Sequence, residues 1–530
     1  MKNLAVLITF IIILLSISLP ACSPGRQIAE QPDQKYVVVV VIDACRPDYF
    51  EIADVPNIKR LAEGGVSYTN AWVGQNPNVT PPSHATITTG SFPRHHGVLN
   101  FLWRNAKTGL AYWYTYWDDV YTGDYNKMIK NNDVVSIGSL YKQKFPGAKV
   151  ASVGSGKFYA VASMAADDSD YIVFLNAAGV VNPEAESPDK LEVSGVKGHL
   201  PPAELMQDPA LNRPKGSGWD ADNWATDVAL KLFEKERPQV LYINLSETDE
   251  AGHWSLSIND PVKMGSCVSN ADRQIGRLME AYTGAGIFDR TIWVVVADHG
   301  MTPTLHTISQ KAVDAEIVKT GTKVQVQNPE TLLFDPSKTT EAVENIVRAS
   351  IPGIKGAYIH VQKPDGSWTT ELSPSSQGLI TGDLDKCFRY LKSTDTGPCS
   401  ADFTLIEKEN WRQDWSILGA KPMLSSHETI TWNDQHVPLI ICGPGVKKGV
   451  SLDTPARLVD IAPTIVTLLG IEPQKMDGVA LADSLEQATP QQIKTQSKVT
   501  QFLEPLRAAL KASSQADLAE NEKKFGIKER

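Results

Sequence analysis

Three short apolar runs mark the first three hundred residues of the chain. Residues 37–42 read VVVVVI, residues 240–245 read VLYINL, and residues 292–297 read IWVVVA. Because β-branched residues are frequent in these runs and polar residues hardly interrupt them, they predict strands buried on both faces, as in a parallel sheet. Residues 149–153 (KVASV) predict one further short strand.

Helical patterns separate these strands. Residues 221–236 and 267–283 have apolar positions at helical spacing, and each segment precedes one of the apolar runs. This alternation predicts βαβ units, and hence an α/β fold with a mostly parallel central sheet. From about 330 to 420 the composition and pattern of the sequence change, and residues 364–400 are rich in Gly, Ser, Thr, Asp and Pro. This change indicates a small α+β insertion.

The pattern divides the chain into six predicted segments. They are a signal peptide with a lipobox (1–22), a linker (23–35), the first part of a catalytic core (36–329), a small inserted α+β subdomain (330–420), the second part of the core (421–484) and a polar helical tail (485–530).

The amino terminus predicts export. Residues 4–19 form an almost unbroken apolar run after Lys2, as in a secretory signal. The letters LPACS at 19–23 resemble the lipobox of bacterial lipoproteins. We therefore expect an exported protein, periplasmic or at the cell surface, that is anchored to a membrane through lipid on Cys22. A plain cleaved signal is the alternative.

Net charge and cysteine content restrict the expected partners of the protein and the expected state of its thiols. The 530 residues carry a net charge of −10 at pH 7, so we expect no nucleic acid polymer as a partner. In an oxidising compartment, Cys387 and Cys399 are the expected disulfide, since they flank a short Gly/Pro/Thr segment. Cys442 lies in an apolar run and is expected to be a buried free thiol.

Each apolar run ends near side chains that bind divalent metals. Asp43 follows the first run, Asp249 and His253 follow the second, and Asp298 and His299 follow the third. Open α/β sheets place their ligand sites beyond the carboxyl ends of the strands, so we expect these side chains to converge on one rim. Asp and His together favour zinc or a similar divalent ion.

The segment TPPSH at 80–84 carries hydroxyl side chains that are candidates for a nucleophile. Two prolines after Thr80 fix a turn, and a helix can begin just beyond them. A helix N-terminus offers backbone N–H groups to an anion. A hydroxyl placed there could attack a phosphoryl or sulfuryl group, with a metal supplying the activation.

Together these motifs resemble the alkaline phosphatase superfamily, and more closely its type I phosphodiesterase/nucleotide pyrophosphatase branch. DACRPDY at 43–49 is similar to that branch's D-G-x-R-x-D-Y segment, and TPPSH is similar to its T-x-P-N-H nucleophile loop. DEAGH at 249–253 matches D-x-x-G-H, and ADHGM at 297–301 resembles S-D-H-G-M. His427 stands where the last metal-binding histidine is expected, although Glu428 replaces the family's glycine; His436 is the competing candidate.

The resemblance implies an alkaline phosphatase-like three-layer sandwich and two divalent metal ions, for which zinc is the expected identity. It assigns one ion to Asp43, Asp298, His299 and the oxygen of Thr80, and the other to Asp249, His253 and His427. Ions roughly 3.5–4 Å apart can clamp the attacking and leaving oxygens of an in-line displacement.

Two further residues join Thr80 as candidate catalytic groups. Asn100 falls near the position of a substrate-binding Asn in the family, with a spacing from Thr80 that is one residue shorter than usual. Lys157, in GSGK at 154–157, could reach a phosphate oxygen or remain an exposed loop lysine. The aromatic stretch at 101–125 could wall the substrate pocket or cover the sheet edge.

The resemblance implies a secreted or membrane-tethered, metal-dependent phosphodiesterase or nucleotide pyrophosphatase that acts on small phosphoesters through a phospho-threonine intermediate. A phosphate monoesterase with the same site is the main alternative, favoured by Lys157, whereas the aromatic stretch favours a diester. A sulfatase is less expected, because the C-x-P-x-R motif of those enzymes is missing at 80–84. A head-group transferase and a non-catalytic binding protein complete the alternatives.

Overall fold

The apolar run at 37–42 lies in the middle of the largest sheet. In the computed structural model, residues 34–166, 168–175, 191–213, 221–326, 329–413 and 423–526 are described. Within those ranges the strands are β1 (Tyr36–Ile42), β2 (Gly65–Tyr68), β3 (Leu102–Arg104), β4 (Ala111–Trp113), β5 (Val150–Val153), β6 (Tyr171–Leu175), β7 (Val193–Gly195), β8 (Val240–Leu245), β9 (Thr291–Val296), β10 (Thr302–Pro303), β11 (His306–Ile308), β12 (Val324–Val326), β13 (Glu330–Leu333), β14 (Ile354–Gln362), β15 (Trp368–Leu372), β16 (Phe403–Glu407), β17 (Trp411–Gln413), β18 (Ser425–Ser426), β19 (Leu439–Cys442) and β20 (Val450–Leu452).

Helices connect most of these strands. They are α1 (Pro56–Glu63), α2 (Thr80–Thr89), α3 (Pro93–His96), α4 (Trp117–Tyr121), α5 (Asp124–Asn131), α6 (Ile137–Lys144), α7 (Phe158–Ala165), α8 (Ala203–Met206), α9 (Ala221–Glu236), α10 (Glu247–His253), α11 (Pro261–Gly284), α12 (Gln310–Val318), α13 (Thr339–Arg348), α14 (Gly382–Ser393), α15 (Trp432–Gln435), α16 (Ile461–Leu468) and α17 (Pro490–Phe525).

The main sheet has the strand order β20-β2-β19-β9-β1-β8-β5-β6-β7 among the described residues. The five central strands β9, β1, β8, β5 and β6 run parallel to one another. On either side of them, β19 is antiparallel to β9 and β7 is antiparallel to β6. The predicted α/β class with a mostly parallel sheet is therefore confirmed. Every residue of β1 is fully buried, and each such apolar side chain contributes about 1.5–3 kcal/mol of stabilisation relative to an exposed one.

Helices cover both faces of this sheet. Trp293 and Leu241 are in register across β1 and so share a face, where the Trp293 ring lies 5.1 Å from that of Tyr282 in α11. Asn244 is three residues beyond Leu241 and therefore faces the other side. There its amide contacts His84 of α2 at 2.9 Å. Helix, sheet and helix thus form three layers.

A second sheet takes four of its five strands from the predicted insertion at 330–420, and the fifth, β12, precedes it. It has the order β12-β13-β16-β14-β15 among the described residues, and its pairs are antiparallel. Helix α13 packs Val343 and Ile346 against Leu405 in an apolar cluster of this region. The long helix α17 places Leu503 and Leu506 in a separate cluster. The segment boundaries at 330, 420 and 485 stay predictions.

The expected disulfide is wrong. Cys387 and Cys399 are both free thiols, because their side chains pack in different apolar clusters. Cys387 lies in α14 and is buried beside Phe388, whereas Cys399 packs against the cluster that contains Trp103. Cys442 is free and buried, as predicted.

Within the described ranges, no helix combines the length and the apolar composition that a bilayer crossing requires. The predicted signal peptide, the lipobox with Cys22 and nearly all of the predicted linker lie outside those ranges.

Candidate active site

The three predicted strands place their carboxyl ends side by side. β9, β1 and β8 are neighbours in the sheet, so the residues that follow them meet at one edge. Asp43 comes directly after β1, Asp298 lies two residues after β9, and Asp249 lies in α10, which begins just after β8. All three carboxylates are buried. The structure therefore brings together the carboxylates that the sequence singled out.

Three imidazoles complete the rim. His299 Nε2 lies 3.2 Å from Asp298 Oδ2 and 3.7 Å from Asp43 Oδ1. On the other side, Asp249 lies 3.3 Å from His253 Nε2 and 3.5 Å from His427 Nε2. The ring centroids of His299 and His427 are 3.8 Å apart, so the two halves of the rim are in contact.

His427 reaches the rim from the distant part of the core, whereas His436 does not. The His436 Nε2 atom is 2.9 Å from the carbonyl oxygen of Thr69, and its ring stacks on Trp432. Neither of these contacts involves a carboxylate of the rim, whereas His427 Nε2 lies 3.5 Å from Asp249 Oδ1. The structure therefore supports His427 as the ligand candidate.

We expect His427→Ala to lower the zinc content of the purified protein by one ion per chain, and His436→Ala to leave it unchanged. The reason is that, of these two histidines, His427 faces the Asp249 carboxylate, whereas His436 contacts Thr69 and Trp432. Elemental analysis of the dialysed proteins measures the content. Equal zinc loss in the two variants would contradict the assignment.

Lys157 lies inside the rim. Its Nζ atom is 2.8 Å from Asp43 Oδ1 and 2.6 Å from Asp249 Oδ2, so it is not an exposed loop lysine. Burial by itself would lower the pKa of the ammonium group, but the two carboxylates raise it well above its usual value. The lysine is therefore a fixed positive charge between the two halves of the site.

Thr80 stands at the first position of α2 and is buried. Its Oγ1 atom is 3.2 Å from His299 Nε2, so the hydroxyl points into the rim. His84, one helical turn on, donates from Nδ1 to the Thr80 carbonyl at 2.8 Å and accepts at Nε2 from the Asn244 amide at 2.9 Å. Since both ring nitrogens are engaged by protein, His84 packs the nucleophile loop rather than binding an ion.

Asn244 is a site residue that sequence reasoning missed. It sits in the apolar run of β8, and its Nδ2 atom donates to Asp43 Oδ2 at 3.0 Å as well as to His84. The available signal was a lone amide near the carboxyl end of a buried strand, since such a group needs hydrogen-bond partners.

Asn100 is directed elsewhere. Its side-chain oxygen accepts from the backbone N–H of Phe101 at 2.7 Å, and its amide is 3.5 Å from Glu330 of β13. These contacts join it to the inserted region rather than to the rim. Its substrate-binding role stays a prediction.

The donor atoms fit divalent ions. Two clusters have donor atoms within 4.8 Å of one another: Asp249 with His299 and His427, and Asp43 with Asp298 and His84. In the second cluster, the two carboxylates are the free donors, because Thr80 and Asn244 already engage the His84 ring. Within the described residues, Asp249 Oδ1 and Asp298 Oδ2 are buried without a hydrogen-bond partner. Carboxylate and imidazole donors of this kind suit zinc.

The protonation states of these carboxylates and of His427 also suit metal binding. Burial would raise the pKa of the Asp298 carboxyl, but the His299 and His84 imidazoles lower it to about 2. Burial likewise opposes ionisation of Asp249, yet Lys157 brings its pKa well below the usual value. Burial and the neighbouring His299 lower the pKa of His427, which keeps that imidazole neutral, the form that binds metals.

This combination defines a class of protein: an α/β fold of the alkaline phosphatase type with a candidate divalent-metal centre and a buried threonine on the strand-end rim. The model of the family "Type I phosphodiesterase / nucleotide pyrophosphatase" matches residues 37–416. The chain belongs to that family, whose members include hydrolases of phosphoester bonds.

Relatives and solved structures agree with this result. The chain is 24% identical to ectonucleotide pyrophosphatase/phosphodiesterase family member 7 of Rattus norvegicus, over 57% of each protein. It is 21% identical to alkaline phosphatase PafA of Elizabethkingia meningoseptica, over 83% of this chain and 92% of PafA. A crystal structure of PafA superposes with a TM-score of 0.61 and 16% identity over 86% of this chain and 100% of PafA.

A second solved structure is murine ectonucleotide pyrophosphatase/phosphodiesterase 5 in complex with AMP. It superposes with a TM-score of 0.56 and 16% identity over 85% of this chain and 100% of that one. The predicted family and the alkaline phosphatase-like fold are both confirmed.

Proposed function

We propose that the protein is a metal-dependent phosphodiesterase or nucleotide pyrophosphatase that acts on small phosphoesters through a phospho-threonine intermediate. The observation that carries the proposal is the Thr80 hydroxyl, which lies 3.2 Å from His299 within a rim of buried carboxylates and imidazoles. The AMP bound to a murine relative of the same fold supports nucleotides as the substrate class.

Two divalent ions, for which zinc is the expected identity, fit the donor set. Asp43, Asp298, His299 and the Thr80 oxygen would hold one, and Asp249, His253 and His427 would hold the other. When bound, such ions lower the pKa of coordinated hydroxyl groups and neutralise charge on the phosphoryl oxygens.

The chain's own residues orient the reaction. His84 and Asn244 fix the loop that carries Thr80, so that Oγ1 faces the rim. In the first displacement a bond forms between Thr80 Oγ1 and phosphorus while the bond to the leaving oxygen breaks. The Thr80 hydroxyl proton leaves with that oxygen. In the second displacement, the oxygen of a water molecule forms a bond to phosphorus while the bond to Oγ1 breaks, and one proton of the water passes to Oγ1. Lys157 provides positive charge for the phosphoryl oxygens throughout.

The aromatic residues after Lys157 support a substrate with a second ester substituent. Tyr159 packs edge-on against Phe101 with centroids 5.1 Å apart, and Phe158 packs at the same distance against Trp117. The stretch at 101–125 is thereby connected to the segment that carries Lys157. An apolar wall of this kind would accept a base or another flat group.

A phosphate monoesterase is the second candidate, and Lys157 is the observation that favours it. A monoester brings a dianionic phosphoryl group, which gains more from a buried ammonium than a monoanionic diester does. The similarity to a protein named alkaline phosphatase supports the same alternative.

Lys157→Met separates the two candidates. For a diesterase, we expect kcat/KM for bis-p-nitrophenyl phosphate to fall by about tenfold, because one charge contact is lost. For a monoesterase, we expect the wild-type kcat/KM for p-nitrophenyl phosphate to exceed that for bis-p-nitrophenyl phosphate. In Lys157→Met, we expect kcat/KM for p-nitrophenyl phosphate to fall by about a hundredfold or more. Steady-state kinetics of both substrates, with and without added zinc, measures this. Absence of zinc-dependent turnover of either ester would contradict the proposed function.

Export and a lipid tether at Cys22 are part of the proposal. Their support is the apolar run at 4–19, the letters LPACS that follow it, and relatives whose names begin with "ecto".

A further inference from the structure

The residue after His427 has an unusual backbone. Glu428 adopts a φ of 86°, a left-handed conformation that favours glycine and disfavours other residues. Such conformations cost free energy and persist only where the surroundings enforce them. The strained residue directly follows a ligand candidate, so the contacts that hold its backbone also act next to the His427 ring.

Arg412 of β17 supplies those contacts. One guanidinium nitrogen donates to the backbone carbonyl of His427, and the other donates to the carboxylate of Glu428. The His427 carbonyl and the Glu428 carboxylate thus lie on either side of the Glu428 N–Cα bond, about which the φ angle is strained. The side chains of Arg412 and Glu428 are 8% and 15% exposed, so this charge pair is shielded from solvent.

The next residue is held from the other side. Asp434 accepts from the Thr429 backbone N–H at 3.0 Å and from its hydroxyl at 2.5 Å, and it also accepts from the Thr302 hydroxyl at 2.6 Å. Residues 427–429 are therefore fixed on both sides. On the rim side, the His427 ring meets His299 and Asp249, and its Nδ1 atom has no hydrogen-bond partner among the described residues.

We propose that the Arg412–Glu428 pair is a positioning device for the second metal site: it holds residue 428 in the left-handed conformation that directs His427 toward Asp249. Glu428 and Arg412 act through His427 and contact neither substrate nor reacting atoms. The inference rests on the proposed function in one respect, namely that His427 is a metal ligand.

The test compares alanine with glycine at position 428. Glu428→Ala removes the ion pair and keeps the backbone penalty, so we expect zinc at the site formed by Asp249, His253 and His427 to bind about 10–100-fold less tightly. Glu428→Gly also removes the ion pair but adopts the required φ freely, so we expect a loss of at most about threefold. Zinc dissociation constants come from competition with a chromophoric chelator.

A matched control exists elsewhere in the chain. Lys475 is also a charged residue with a left-handed φ, of 52°, and it pairs with Asp133 at 2.6 Å far along the chain from the rim. We expect Lys475→Ala to lower the melting temperature without changing the zinc dissociation constant of either site. Arg412→Met combined with Glu428→Gly should bind zinc more tightly than Arg412→Met alone, because glycine no longer needs the arginine to hold its conformation.

Three results would overturn the inference: unchanged zinc affinity in Glu428→Ala, equal losses in the alanine and glycine variants, or fewer than two bound ions in the wild type. Zinc binding is measured without substrate. A wild type that binds two ions but hydrolyses no ester would therefore refute the proposed function and leave the role of the ion pair intact.

Discussion

Thr80→Ala should lose hydrolysis of phosphate esters by about 10³-fold or more, because the atom that forms the bond to phosphorus is removed. The variant should fold, since the hydroxyl has one described side-chain contact, to His299, and the loss of one such hydrogen bond costs about 1 kcal/mol. Zinc content should stay near the wild-type level, because Asp43, Asp298 and His299 remain.

Thr80→Ser is the matched control for this prediction. Serine keeps the hydroxyl and loses one buried methyl group, so we expect it to retain activity within about tenfold of the wild type. Denaturing mass spectrometry after rapid mixing with a slow substrate should show a phosphoryl adduct at residue 80 in the wild type and none in Thr80→Ala. With a diester substrate the adduct should also carry the second ester substituent. Full activity in the alanine variant would refute the nucleophile assignment.

The strand-end rim could be predicted from the sequence because its causes are local. A buried parallel strand has a recognisable run of apolar residues, and the residue that follows the run must lie at the sheet edge. Asp43 and Asp298 are of this kind, and the structure places β1 and β9 side by side. His427 was identified from the order of the motifs along the chain. The local sequence around residue 427 does not by itself predict a position at the same sheet edge.

What could not be predicted depends on contacts between distant segments. Arg412 belongs to a strand near the end of the inserted region, and only the folded chain brings its guanidinium to His427 and Glu428. The same limit explains the failed disulfide, since Cys387 faces an apolar cluster that includes residues of α17. Asn244 was hidden for the opposite reason: a single polar residue in an apolar run changes the hydrophobic pattern too little to attract notice.

Asp249 is the residue on which the second half of the site converges. Its carboxylate contacts Lys157 at 2.6 Å, His253 at 3.3 Å and His427 at 3.5 Å. The lowered pKa keeps it ionised at neutral pH, with burial opposing the effect and Lys157 as the largest favourable influence. An isosteric amide at this position would keep the shape of the site but remove the negative charge of residue 249.

Asp249→Asn should therefore lose one zinc ion per chain and about 10³-fold or more of the activity, because a neutral amide cannot balance a divalent cation. Asp272→Asn is the matched control: that carboxylate is also buried, but it accepts from the backbone N–H of Ile58 at 2.8 Å and from Asn57, away from the rim. The control should unfold at a lower temperature while keeping its zinc and its kcat. If Asp249→Asn retained both ions, the charge of residue 249 would not be what holds the second metal, and the division of the rim into two metal sites would have to be abandoned.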